Sequence, residues 1–246
     1  MSSPGASPAR HRRARRRERE VYSGEQSRTH FSSRNVSRAL AAFVPASYRS
    51  AMAGILPHVG EPKRKATYDD VLAAPAHMVA EILDGELFLS PRPATRHTRA
   101  SSVIGATLSG AFDRPPGDPE RPGGWWILDE PELHFGEDVV VPDLAGWRHE
   151  RMARIPDAAW IDLAPDWLCE TLSPSTAHID CGRKLRIYAR EGVRYVWLLD
   201  PIARTLEVFA LEGGRWVVAA GHAGCDAVRA EPFDAIELEM GRLWID

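Results

Sequence analysis

At 246 residues, with 44% apolar and 26% charged side chains and a net charge of −3, the chain has the composition of a globular protein. No apolar run approaches the ~20 residues of a membrane span, and no apolar stretch follows the N-terminal arginines as a secretory signal would require. Three cysteines without a CxxC pair argue against a disulfide framework or zinc knuckle, so a reducing cytoplasm is the expected compartment.

The charge is unevenly spread. Residues 1–51 carry eleven arginines against three glutamates, which leaves about −11 on the remainder. Residues 1–66 are rich in Ser, Pro, Gly and Arg and lack a sustained apolar period, which predicts a disordered basic leader ahead of a domain spanning 67–246. The run HRRARRRERE (residues 11–20) reads either as an arm for nucleic acid or as a solvated tail. Met52, close to the start of the folded pattern, is an alternative initiation site.

Folded pattern begins at TYDDVLAAP (residues 67–75), a short helix with Thr67 as N-cap and acids in its first turn. MVAEILDGELFLSP (residues 78–91) reads as two strands about Asp84-Gly85, with Val79, Glu81 and Leu83 on one face. Val103, Ile104, Leu108 and Ala111 form a helical stripe within residues 97–114. WWILDEPELHFGEDVVVPD then predicts strand, turn, strand, with Val139 to Val141 in a strand buried on both faces. Pro142 cannot donate to a ladder, so Asp143 falls at the strand's exit, beside a break in the sheet.

After a polar loop over 148–165, WLCETL (residues 167–172) is another strand. Leu168, Glu170 and Leu172 lie on one face, with Trp167, Cys169 and Thr171 on the other. A carboxylate among leucines is costly unless paired, protonated or bound to a cation. SPST is a turn, and the helix after it ends at Gly192. On that helix Lys184 and Tyr188 share one face, while Arg183, Arg186 and Arg190 form a basic stripe suited to a phosphate backbone. A buried strand (residues 195–201), a hairpin about Gly213-Gly214 and short closing pieces complete the domain. Trp147, Trp160 and Trp216 read as exposed. The trace predicts a mixed α+β (α/β) fold, a central mixed sheet flanked by helices.

Asp143, Glu170 and Lys184 are the residues expected to carry chemistry. Two carboxylates and an ammonium on neighbouring elements suit metal-assisted cleavage of a phosphodiester. The ordered set of VPD, an acid in a strand, SPST, then Asp180, Lys184, Tyr188, Gly192 and YVWLLDP resembles the Uma-type branch of the restriction-endonuclease-like PD-(D/E)XK nuclease superfamily. The resemblance spans about residues 67–246. It implies an αβββαβ core and divalent-metal-dependent hydrolysis of nucleic acid. It places the motif acids on Asp143 and Glu170, an upstream glutamate on Glu81 and a histidine on His97. The general motif's lysine two positions after Glu170 is replaced by Leu172, and Lys184 on the following helix is the match.

The expectation is therefore a Mg²⁺- or Mn²⁺-dependent DNA endonuclease. Asp143, Glu170 and Glu81 would hold the ion, Lys184 would support catalysis, and His97 and Tyr188 are secondary candidates. A homodimer follows by analogy with enzymes that cut both strands. The alternative is a catalytically silent nucleic-acid-binding or protein-interaction module on the same fold.

Overall fold

The computed structural model describes residues 64–118 and 121–245. The predicted leader and the alternative start at Met52 lie outside the described residues, apart from residues 64–66.

The chain enters through α1 (Tyr68–Leu72), where Thr67 and Asp70 form a reciprocal capping box. The hairpin β1 (Met78–Leu83) and β2 (Glu86–Pro91) turns on Asp84 at φ 54° and Gly85 at φ 79°. Two successive positive φ values are what a tight two-residue hairpin demands, and Asp-Gly meets them at low cost. The long helix α2 (Thr95–Phe112) buries Ala100, Val103, Ile104, Leu108 and Phe112, close to the predicted stripe.

The next stretch departs from the expected single hairpin. Four strands stand there: β3 (Trp125–Asp129), β4 (Leu133–Phe135), β5 (Asp138–Val140) and β6 (Leu144–Arg148). β4 pairs with β5, but β3 pairs with β6. Pro142 and Asp143 thus form the short bridge by which the chain passes from one sheet to the other, since β1, β2, β4 and β5 make a four-stranded sheet ordered β2-β1-β5-β4.

A second sheet holds β3, β6, β7 (Trp167–Thr171), β8 (Tyr195–Asp200), β9 (Thr205–Glu212) and β10 (Arg215–Ala223), ordered β10-β9-β8-β7-β6-β3. Its single parallel pair, β7 with β8, requires a crossover. Residues 177–190 supply it as three successive segments: α3 (Ala177–Ile179), a π turn (Asp180–Lys184) and α4 (Leu185–Arg190). Short β11 (Ala227–Val228) and β12 (Leu238–Glu239) close the chain.

Strand alternation sends the two faces of the six-stranded sheet into separate cores. Leu168, Val196, Leu198 and Phe209 pack with Leu83, Leu133, Leu185 and Tyr188. Trp167, Cys169, Trp197 and Leu199 pack with α2 and the C-terminal Phe233 and Leu243. Gly146, mid-strand in β6, makes room for this second core. A Cβ there would lie 3.0 Å from Ile127 and 3.2–3.3 Å from the Trp167 and Trp125 rings. The mixed α+β architecture with a central mixed sheet is as the sequence predicts. Among the three tryptophans expected on the surface, Trp147 is instead fully buried, its indole N–H donating to the Leu163 carbonyl, and Trp160 is exposed. Trp216 is half-buried and donates to the Leu185 carbonyl. No helix among the described residues is long and apolar enough to cross a membrane.

Candidate active site

The site forms where the two sheets part. β1 presents Glu81 on the inward face that also carries Leu83, and Glu81 Oε1 accepts the Val141 N–H at 2.8 Å. That bond ties β1 to the bridge between the sheets. Pro142 ends the pairing of β5, and Asp143 follows with Oδ2 accepting the Thr171 N–H at 2.7 Å. The end of β7 is therefore clamped by the side chain that precedes β6. Asp143 Oδ1 lies 3.3 Å from His97 Nε2.

Glu170 is 2% exposed in the middle of the first core. Its Oε1 accepts a hydrogen bond from the Tyr188 hydroxyl, and both its oxygens face the Lys184 ammonium, at 3.1 Å and 3.2 Å. Lys184 sits at the end of the π turn, a distortion that recurs at functional sites. Its Nζ is also 3.0 Å from Glu81 Oε1, 3.3 Å from the Val141 carbonyl oxygen and 3.5 Å from Asp180 Oδ1. Asp143, Glu170, Asp180, Lys184, His97 and Thr171 are among the residues lining one cavity of about 310 Å³. Arg92 and Glu130, paired at 3.6 Å, line it too. Glu81 and Tyr188 are not among the lining residues. They hold Lys184 and Glu170 from behind.

All six residues singled out from the sequence thus meet at this junction. Asp180 joins them without a role assigned from the sequence, although it lies four residues before Lys184. That spacing on one helix face was the available signal. The Thr171 N–H, which fixes Asp143, had none.

The electrostatics follow from burial. Desolvation drives the Glu170 carboxyl well above its ordinary range. Lys184 pulls it down, while Asp180, Asp143 and Glu81 push it further up. Burial likewise pushes Asp180 up to about 6. Burial opposes the Lys184 ammonium, but Glu170, Glu81, Tyr188 and Asp180 outweigh it, so the ammonium is held charged. The excess of negative charge appears instead as carboxyl groups that take up protons. Tyr188 is raised well above the usual phenol value by burial and by Glu170, and remains a donor. Burial lowers His97, but its contact with Asp143 more than compensates and the imidazole is raised. The His97 Nδ1 is buried without a hydrogen-bond partner. Cys169 and Cys181 are buried and free, with thiols raised by burial, which excludes thiolate chemistry here.

The basic stripe predicted on the same helix is internally satisfied. Arg183 pairs with Glu86, Arg186 with Asp84, and Arg190 with Asp138 and Glu191.

Comparison with known proteins bears on the fold and the family. A solved structure described as "Crystal structure of a putative nuclease belonging to DUF820 from Anabaena variabilis ATCC 29413" superposes with a TM-score of 0.58 at 22% identity, over 72% of this chain and 97% of that one. At that identity the likeness speaks for the fold. No curated protein matches the chain. The model of the family described as "Uma2: Putative restriction endonuclease" matches residues 67–241, which include every residue of the site. The chain belongs to the Uma2 family.

Proposed function

We propose that this chain is a divalent-metal-dependent endonuclease that hydrolyses phosphodiester bonds of DNA. One observation carries the reading: Asp143, Glu170, Asp180 and Lys184 line a single cavity at the point where the two sheets separate. Apart from the Arg92–Glu130 pair at its edge, four carboxylates, counting Glu81, stand there against one ammonium and one imidazole.

The donor set fits a hard divalent cation. It consists of carboxylate oxygens, it carries surplus negative charge, and the buried Nδ1 of His97 lacks a partner beside it. Among the described residues no group of three or more His, Cys, Asp or Glu converges to cage an ion. Mg²⁺ does not ask for one, because it is held through one or two carboxylates with water completing its shell. Asp143 and Glu170 would hold Mg²⁺ or Mn²⁺, with Glu81 completing the acidic surround. Bound there, the ion would supply the charge that polarises the scissile phosphate and eases loss of a proton from water.

The protein's own groups do the rest. Thr171 N–H and His97 orient the Asp143 carboxylate. Tyr188 orients Glu170. Lys184 offers a positive charge to offset the negative charge that grows on the phosphoryl oxygens in the transition state. Glu81, bonded to the Val141 N–H, keeps the bridge between the sheets in place.

Incubation of supercoiled plasmid with the protein and Mg²⁺ or Mn²⁺ tests the reading. Nicking is expected, and Asp143→Ala should abolish it. Cleavage that needs no metal and survives that substitution would contradict the assignment. Salt-sensitive DNA retention without any cleavage would favour the silent binding module instead. Direct linearisation of plasmid would favour a homodimer with two sites.

A further inference from the structure

We infer that the Lys184 ammonium holds the place of the divalent ion at Glu170 and gives Glu170 up when that ion binds, with Asp180 as the anchor that retains it. The inference rests on the metal-dependent reading above.

An ammonium has three N–H donors. Around Lys184 Nζ stand Glu81 Oε1 at 3.0 Å, Glu170 Oε1 at 3.1 Å and Oε2 at 3.2 Å, the Val141 carbonyl at 3.3 Å and Asp180 Oδ1 at 3.5 Å. Acceptors outnumber donors, so no donor is left for water or a phosphate oxygen. In this arrangement Lys184 cannot face a substrate. Glu170 is equally committed: Oε1 accepts from the Tyr188 hydroxyl and lies 3.1 Å from Lys184 Nζ, and Oε2 accepts from Lys184. Glu170 can turn an oxygen to another cation only by loosening this hold. A second cation at Glu170 would also repel the ammonium strongly, because both would lie in a desolvated site.

Asp180 gives Lys184 somewhere to go. It is 4% exposed, lies four residues before Lys184 on the same helical stretch and already approaches Nζ through one oxygen, at 3.5 Å. Once Glu170 is released, Glu81, the Val141 carbonyl and Asp180 still surround Nζ. The ammonium keeps its charge beside the cavity that Lys184 lines. Asp180 is thus a positioning residue, which keeps the ammonium beside the cavity after the exchange.

Calorimetric titration of the full chain with Mn²⁺ tests this. Lys184→Met should bind Mn²⁺ at least about tenfold more tightly than the unaltered protein while losing nicking, since a competing charge is gone. Equal or weaker binding overturns the inference. If the single variant does not fold, Lys184→Met combined with Asp180→Asn removes the buried pair and keeps the site's net charge. It too should bind more tightly than the unaltered protein, and equal or weaker binding again overturns the inference. Silence of every protein toward Mn²⁺ overturns both this inference and the metal-dependent reading. Binding by the lysine variants alone overturns the exchange together with the metal-dependent reading of the natural chain, because the ammonium then never yields Glu170. For Asp180, Asn should lower kcat for nicking with KM little changed, and Glu should restore it. An unchanged kcat in Asp180→Asn removes Asp180 from the exchange.

Discussion

Lys184 and Arg186 lie two residues apart on one helical stretch, and both end against acids. Lys184 has a side chain 4% exposed and faces Glu81, Glu170 and Asp180. Arg186 is 48% exposed and meets the single, half-exposed Asp84. Arg183 belongs with Arg186, joined to Glu86 on the rim, whereas Arg190 reaches in from the surface to the buried Asp138. The charges are alike and the depth is not. On the rim, water screens each pair and does most of the solvating, so the pairs contribute little. In the interior no water replaces a lost partner, and the ions depend on one another. The sequence showed three arginines on a stripe suited to a phosphate backbone, and beside them one lysine suited to the chemistry. In the structure the stripe is neutralised and the lysine faces surplus negative charge.

That contrast can be broken at its strong end first. Asp143→Ala should cost at least about two to three decades in nicking rate, the usual scale for one positioned charge at a transition state, as read from initial rates on supercoiled plasmid. Lys184→Ala should lower unfolding free energy by about 3–5 kcal/mol in chelator, because it strands buried carboxylates. Urea melts would measure it, and a loss under 1 kcal/mol would mean that the interior cluster behaves like the rim.

The pH dependence sharpens the comparison. Asp180 has its folded pKa raised to about 6, mainly by burial, above an ordinary value of 3.8. The folded state then holds this proton more tightly than the unfolded chain does. Its contribution is fully present below about pH 4 and is lost as pH rises through about 6, by up to about 3 kcal/mol. In chelator, Asp180→Asn should flatten that part of the stability profile across pH 4 to 6. An identical slope in both proteins would place the proton on another group. At the weak end, Arg186→Ala should change stability by less than about 1 kcal/mol, with the small loss shrinking further in high salt.

Much of this was legible in order along the chain. The Asp84-Gly85 turn announced itself through residue types that accept positive φ. Glu170 stood out as an acid at a core position of a strand, and Pro142 marked the end of pairing just before Asp143. What the sequence withheld was partnership. Period and propensity say which side chains share a face, not what will face them. β6 leaves little trace in the sequence because Ala145 and Gly146 are weak strand formers, and Gly146 is needed only for side chains that arrive from β3 and β7. The split between the two sheets depends on β3 choosing β6 over the nearer β4, a non-local pairing. Trp147 looked like surface because Arg148, His149 and Glu150 follow it in order, whereas Leu163 and the first core meet it in space. The pairing of Arg186 with Asp84 spans 102 residues and left no local trace.

The central claim is that Asp143 and Glu170 jointly receive a divalent ion. Mn²⁺ titration of the unaltered chain against Glu170→Gln and Asp143→Asn, followed by calorimetry, tests it most directly. Saturable binding in the unaltered chain, weakened at least about tenfold in each variant, is the predicted result. Binding of equal strength in all three would contradict it.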